Sequence, residues 1–242
     1  MKWYRGPDGG RRVWYAPDEI EQLAENELEN AGLMPSLASP VVDIEALLER
    51  HLGAVLDQYS DLGSEVLGAT QFAPGKAPRV LINRDLTAMA LDQVPPEPGR
   101  YGRWRATVAH EAGHIIFHRI LFETSEDQIT LFEIDTTPPK SPELMRCLNR
   151  TVSFSNPVAD WREVQANRAM AALLMPRRIF GELARTDLRG SRTPEMGTQS
   201  ANQLASGMAV RFGVSRQAAF IRLATLGLVR PLGALHLPLD NC

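Results

Sequence analysis

Two histidines four residues apart, with a glutamate directly after the first, are the residues best suited to chemistry. They are His110, Glu111 and His114, in the run HEAGH. On a helix, residues four apart lie on one face, so both imidazoles can reach a single ion. Glu111 is turned by about 100° around the axis and can act on a water molecule without binding the ion. The spacing predicts a metal site with Glu111 as catalytic base; the alternative is a buried helix whose histidines are satisfied by hydrogen bonds.

The third ligand must come from another element, because a catalytic zinc ion usually has three protein ligands and an open position. His118 lies about 12 Å along the helix axis from His110, so we expect it in the core or beside a ligand. Glu163, in the amphipathic segment WREVQANRAMAALLM, is the predicted third ligand, and Asn167 could orient one of the histidines. The alternatives to Glu163 lie in the preceding segment and are Glu123, Glu126 and Glu133. The expected ion is Zn²⁺, with Mn²⁺ as the alternative.

The elements that position these residues are visible in the hydrophobic pattern. Helices are predicted at 17–31, 43–51, 103–122 and 160–175, and strands at 65–72 and 79–83. We therefore expect an α+β fold, in which helices cover a small mixed or antiparallel sheet and the HEAGH helix packs on it. The strand at 79–83 could offer an edge to an extended peptide.

The C-terminal segment has the form of a helix-turn-helix. Gly213 suits the end of one helix and Ser215 the start of the next. Over 183–242 there are seven arginines and three acidic residues, and Arg216 and Arg222 could face phosphates. The apolar run at 218–221 leaves few side chains able to read bases. We therefore expect a helical subdomain that packs on the rest of the protein or holds its substrate, with direct DNA contact as the alternative.

Composition indicates an ordinary soluble protein. The net charge is −3 with 44% hydrophobic residues, so no global positive field calls for nucleic acid. Two cysteines make no disulfide framework, and no apolar run approaches a membrane span or secretory signal. The expectation is a cytoplasmic protein without a membrane partner. Cys147 is expected to be an inert thiol, with a thiolate that blocks the metal as the alternative, and Tyr101 could stabilise an oxyanion.

HEAGH together with EVQANRAMAALLMP resembles the ImmA/IrrE family of bacterial metallopeptidases. The family pattern is a HExGH helix followed by a Glu-x-x-Ala-Asn run ending in Leu-Leu-Met-Pro. The matching residues of the second run are Glu163, Ala166, Asn167, Leu173, Leu174, Met175 and Pro176. Met170 departs from it, since the family often has Phe there. The C-terminal segment is also similar, so the resemblance covers about residues 18–230.

The resemblance implies a zinc endopeptidase with a gluzincin-like ligand set, whose substrate is a helix-turn-helix repressor. Residues 1–17 mix Gly, Arg and aromatic residues without periodicity and predict a flexible tail, with docking of Trp3 or Trp14 on the body as the alternative. A polar stretch at 186–198 predicts a linker, so we expect a zinc metallopeptidase domain at 18–185 and a helical helix-turn-helix-like subdomain at 186–242. The alternative function is a DNA-binding or partner-binding regulator with a structural metal site. The intact Glu111 favours the enzyme, because a structural site needs no base there.

Overall fold

The computed structural model describes residues 1–5, 11–73, 75–92, 97–122, 143–148 and 160–231. They form an α+β fold. The strands are β1 (Lys2–Arg5), β2 (Arg11–Trp14), β3 (Val55–Ser60), β4 (Val66–Phe72), β5 (Arg79–Asn83) and β6 (Glu143–Leu148). The helices are α1 (Pro17–Asn30), α2 (Ile44–Ala46, continued by a π-helical turn at Leu47–His51), α3 (Arg84–Leu91), α4 (Pro98–His118, continued by a 3₁₀ turn at Arg119–Leu121), α5 (Trp161–Leu174), α6 (Arg177–Leu188), α7 (Gln199–Phe212) and α8 (Arg216–Thr225).

The main sheet has four described strands in the order β3-β5-β4-β6. β5 is parallel to β3 and antiparallel to β4, which is also antiparallel to β6. The expectation that 79–83 forms an edge is therefore wrong, because β5 lies inside the sheet. Its apolar sequence fits this position: Val80 and Ile82 on one face are fully buried, and Leu81 on the other face is partly buried.

The HEAGH segment lies in α4, which packs against both β4 and α5. Small residues bring α4 and α5 together. A methyl group added to Gly113 would lie 2.9 Å from Cβ of Ala169 and 3.2 Å from the carbonyl oxygen of Ala166. The space left by the absent side chain of Gly113 is therefore occupied by α5.

The N-terminal segment differs from the predicted flexible tail at 1–17. β1 and β2 form an antiparallel hairpin, and both Val13 and Tyr15 are buried. Tyr15 packs edge-on against Phe117 of α4, and Nε2 of Gln165 donates a hydrogen bond to the carbonyl oxygen of Val13. The reason is the spacing of Val13 and Tyr15, because side chains two apart on an extended chain point to the same face.

The C-terminal helices share their hydrophobic core with the rest of the described protein. The ring centroids of Phe180 and Phe212 are 5.0 Å apart, on opposite sides of the predicted boundary at 186. A methyl group on Gly102 of α4 would lie 2.9 Å from the backbone nitrogen of Ser215. The turn between α7 and α8 therefore lies against the helix that carries HEAGH.

Arg222 does not face solvent, as phosphate contact would require. Its guanidinium is 2% exposed and pairs with the carboxylate of Glu21. It also donates hydrogen bonds to the carbonyl oxygen of Met175, at 3.0 Å from Nε and 2.8 Å from Nη2. Arg222 therefore fastens α8 to α1 and to the end of α5.

No described helix combines the length and the apolar character needed to cross a bilayer.

Candidate metal centre

Three side chains from two helices converge at one point in the interior. The candidate ligand atoms of His110, His114 and Glu163 all lie within 4.8 Å of one another. Nε2 of His110 lies 3.2 Å from Oε2 of Glu163, and Nε2 of His114 lies 3.3 Å from Oε1 of the same carboxylate. Both histidines are fully buried, and Glu163 is 12% exposed. The structure therefore places the three predicted ligands together.

Local structure explains how Glu163 reaches the histidines. Asp160 caps α5, because its side chain accepts a hydrogen bond from the backbone nitrogen of Arg162. Glu163 thus lies in the first turn of α5, where the helix dipole favours a negative charge. The close approach at Gly113 then brings this turn against the histidine face of α4.

The imidazoles of His110 and His114 turn their Nε2 atoms towards each other. Oδ1 of Asn167 lies 3.1 Å from Nδ1 of His110, and because this oxygen only accepts, Nδ1 carries the proton. Nδ1 of His114 lies within hydrogen-bond distance of Nδ1 of His118, at 3.1 Å. The two Nε2 atoms face each other across 3.0 Å, an arrangement that a cation between them would relieve.

The spacing of the three ligand atoms fits a tetrahedral ion. Zinc–nitrogen distances of about 2.0–2.1 Å at a tetrahedral angle would place neighbouring ligand atoms about 3.3 Å apart. The two Nε2 atoms are 3.0 Å apart, and each lies at a similar distance from one oxygen of Glu163, 3.2 Å to Oε2 from His110 and 3.3 Å to Oε1 from His114. Two imidazoles and one carboxylate are also a usual donor set for catalytic zinc. The residues present therefore fit a divalent metal ion.

Glu111 lies beside the cluster in a pocket made by β4. Its side chain is fully buried, and Oε2 accepts a hydrogen bond of 2.6 Å from Oγ1 of Thr70. A methyl group on Gly68 would lie 2.8 Å from Oε1 of Glu111, so a larger residue would displace the carboxylate. Oε1 has no hydrogen-bond partner among the described residues. A buried carboxylate oxygen without a partner is costly, and a water molecule at the centre would satisfy it.

His118 lies behind His114, in the core and beside a ligand, as its spacing from His110 predicts. It is fully buried, and its ring lies edge-on to Trp161 with centroids 5.4 Å apart. If Nδ1 of His114 carries the proton, it donates a hydrogen bond to Nδ1 of His118, and the proton of the His118 ring is then on Nε2. Metal-binding histidines usually donate their other ring nitrogen to such an acceptor, which fixes the orientation of the ring.

Burial and neighbouring charges set the protonation of the centre. Burial raises the pKa of Glu111 to about 7, although His110 and the hydrogen bond from Thr70 pull it down. Burial lowers the pKa of His114 to about 4, so this ring is neutral at neutral pH. Burial raises the pKa of Glu163, but the adjacent imidazoles of His110 and His114 lower it by more, and the net shift is downward. A neutral ring and a charged carboxylate are the forms that bind metal.

Other residues singled out in the sequence lie elsewhere. Tyr101 is nine residues before His110, about 13 Å along the helix axis, and stacks on Trp104 with ring centroids 6.0 Å apart. It is therefore too far away to stabilise an oxyanion. The three alternative ligands lie outside the described residues: Glu123, Glu126 and Glu133. Only the backbone of Cys147 is described. Thr70 and Gly68 were not predicted, because a polar and a small residue in a strand carry no functional signal by themselves.

An α+β fold in which a buried HExxH helix meets a glutamate from a second helix defines an HExxH-type metal centre. The family model for the IrrE N-terminal-like domain (Peptidase_M78) matches residues 100–224, over half of the chain. The chain therefore belongs to the ImmA/IrrE family, as the sequence analysis predicts. The match includes the two helices of the centre and both C-terminal helices. Among curated proteins, none matches the chain.

Proposed function

We propose that the protein is a zinc-dependent endopeptidase, in which His110, His114 and Glu163 hold the ion and Glu111 is the general base. The observation that carries the proposal is the Oε1 atom of Glu111, which is buried beside the ligand cluster without a hydrogen-bond partner among the described residues. A structural metal site has no use for a second, unpaired carboxylate. A hydrolase needs one, because the attacking water must lose a proton.

The residues of the chain perform the proton transfers. Zinc bound at such a site supplies Lewis-acid chemistry, lowering the pKa of water towards about 7 and polarising a carbonyl oxygen. Glu111 accepts a proton from the water that attacks the carbonyl carbon of the scissile peptide bond. It then returns the proton to the departing amide nitrogen, and the carbon–nitrogen bond breaks. Burial raises the pKa of Glu111 in the metal-free centre, which favours proton uptake by this carboxylate.

We further propose that the substrate is a helix-turn-helix repressor, cut in an extended segment between its domains. Family membership supports this substrate, and the sheet supports an extended chain. Because β5 is internal, the described edge nearest the centre is β6, which pairs with the strand that carries Thr70. A substrate strand could add to that edge by backbone hydrogen bonds.

Mass spectrometry of digests tests this substrate directly. Helix-turn-helix repressors encoded next to the gene are incubated with zinc-loaded protein, and the fragments are identified. One cut in an interdomain segment is the expected result. Cleavage of unfolded casein without cleavage of any such repressor would instead indicate a general peptidase.

A DNA-binding or partner-binding regulator with a structural metal site is the alternative function. The observation in its favour is the turn between α7 and α8, where Gly213 has a φ of 62° and Ser215 caps the next helix through a bond to Ala218. The burial of Arg222 against Glu21 weakens this alternative, because one of its two proposed phosphate contacts is already paired. Arg216→Ala tests it without disturbing that pair: DNA binding would weaken for a regulator, whereas peptide hydrolysis would not change.

A further inference from the structure

Thr70 is a fully buried polar residue whose hydroxyl contacts the proposed general base. Oγ1 donates a hydrogen bond to Oε2 of Glu111 across 2.6 Å, and its distance to the backbone oxygen of the same residue is 3.5 Å. The carboxylate is therefore the main partner of the hydroxyl. Thr70 lies in β4 and Glu111 in α4, so the bond joins the sheet to the catalytic helix.

The two oxygens of the Glu111 carboxylate have different surroundings. Oε2 is taken by Thr70, whereas Oε1 has no partner among the described residues. Gly68 and Thr70 are two apart in β4 and so face α4 together. Gly68 leaves the space that Oε1 occupies, since a Cβ there would lie 2.8 Å from that atom. β4 thus binds Oε2 through Thr70 and leaves space for Oε1 at Gly68.

A glutamate side chain has three rotatable bonds, so a carboxylate that must meet a water molecule in one orientation needs an anchor. A donor on one oxygen fixes the plane of the carboxylate and leaves the other oxygen to accept the proton. Misplacing a reacting group by about 1 Å can cost about 100-fold in rate. A hydroxyl at position 70 supplies this anchor, and a methyl group of the same size does not.

We propose that Thr70 is a positioning residue of the general base, which holds Oε2 of Glu111 and thereby assigns the proton transfer to Oε1. The inference rests on the proposed function and adds to it a residue outside the two metal-binding helices. A purely structural role for Thr70 predicts a loss of stability with no specific loss of turnover. The two roles are therefore separable by experiment.

The decisive variants are Thr70→Val, which keeps the shape and removes the hydroxyl, and Thr70→Ser, which keeps the hydroxyl. Thr87→Val is the matched control, because Thr87 is equally buried but its hydroxyl bonds to the backbone oxygen of Gln58. With the repressor as substrate, or fluorescein-labelled casein if that alone is cut, we expect Thr70→Val to lower kcat about 10- to 100-fold. KM and zinc content should stay within twofold of wild type. Thr70→Ser should stay within about threefold in kcat, and Thr87→Val should leave kcat unchanged.

A second measurement does not depend on turnover. Urea unfolding of the zinc-free protein gives a double-mutant cycle from Thr70→Val, Glu111→Ala and the double variant. A hydrogen bond between these side chains predicts a coupling of about tenfold in the unfolding equilibrium constant. Coupling below twofold would overturn the proposed contact.

The kinetic outcomes separate this inference from the proposed function. Two results would overturn the positioning role when Glu111→Gln is inactive. One is a wild-type kcat in Thr70→Val, and the other is a loss of kcat in Thr70→Ser as large as that in Thr70→Val. Full turnover in Glu111→Gln would instead overturn the proposed function itself.

Discussion

Nε2 of His110 and Nε2 of His114 lie 3.0 Å apart, and each ring has its other nitrogen engaged by a different side chain. Asn167 fixes the first ring and His118 the second. When Nδ1 is protonated in each ring, both inward nitrogens present lone pairs to the same point, where the carboxylate of Glu163 also lies. A cation at this point could be bound by both imidazoles and by the carboxylate together.

The first prediction concerns the ligands. His110→Ala, His114→Ala and Glu163→Ala should each reduce bound zinc from about one ion per chain to a small fraction, because each removes one of three protein donors. Elemental analysis of the purified variants measures the loss. Glu182→Ala is the control, since this exposed glutamate lies in α6 away from the cluster. Full zinc occupancy in Glu163→Ala would remove that residue from the site.

The second prediction concerns His118. His118→Phe removes the acceptor behind Nδ1 of His114 and should weaken zinc binding about 10- to 100-fold, the usual cost of losing such a partner. His118→Gln offers an amide oxygen and should recover part of the affinity. Competition with a chromophoric chelator measures both constants. Equal affinity in the Phe variant and in wild type would show that the contact does not support the ligand.

The two helices of the centre could be predicted from the sequence, because their signals are local. The spacing of His110 and His114 places them on one face of any helix, and the apolar positions after Glu163 mark the second helix. The family motifs then connected the two segments. Asn167 could be suggested for the same reason, since it lies one turn after Glu163.

The contribution of the sheet could not be predicted, because it depends on contacts between distant segments. Thr70 precedes Glu111 by 41 positions, and no local pattern indicates that β4 lies against α4. The internal position of β5 was missed because β3, its parallel neighbour, was not recognised. The burial of Arg222 depends likewise on Glu21, which lies 201 positions earlier in the chain.

The third prediction concerns the approach of the two helices. Gly113→Ala should push α5 away from α4, because the new methyl group would lie 2.9 Å from Cβ of Ala169. We expect weaker zinc binding and a loss of about 1–3 kcal/mol in the free energy of unfolding, the usual cost of overpacking. Gly207→Ala is the control, because its Cβ would meet nothing within 4 Å, and alanine favours a helix. Equal behaviour of the two variants would contradict close packing at Gly113.

The fourth prediction concerns the pH dependence of stability in the zinc-free protein. Burial raises the pKa of Glu111 from 4.5 to about 7, so between these values the folded state holds a proton that the unfolded state has lost. The stabilisation is full below pH 4.5 and is lost as the pH rises through 7. Glutamine stays neutral, so Glu111→Gln should gain stability relative to wild type over this range, by up to about 3 kcal/mol.

Urea unfolding at pH 5 and pH 8 in the presence of a chelator measures this difference. His114 has a lowered pKa and opposes the trend, but it is common to both proteins and largely cancels. A difference between Glu111→Gln and wild type that does not change with pH would show that the carboxylate is not desolvated.

The central claim is that Glu111 transfers protons while the other three residues hold the metal. Glu111→Gln keeps nearly the same shape and cannot act as a base. We expect zinc content and folding near wild type, with turnover of the repressor lowered by about 10²–10⁴-fold. The measurement is single-turnover cleavage of the repressor by zinc-loaded wild type and zinc-loaded Glu111→Gln, monitored by gel electrophoresis and mass spectrometry. Cleavage by Glu111→Gln at the wild-type rate, with zinc fully bound, would contradict the account.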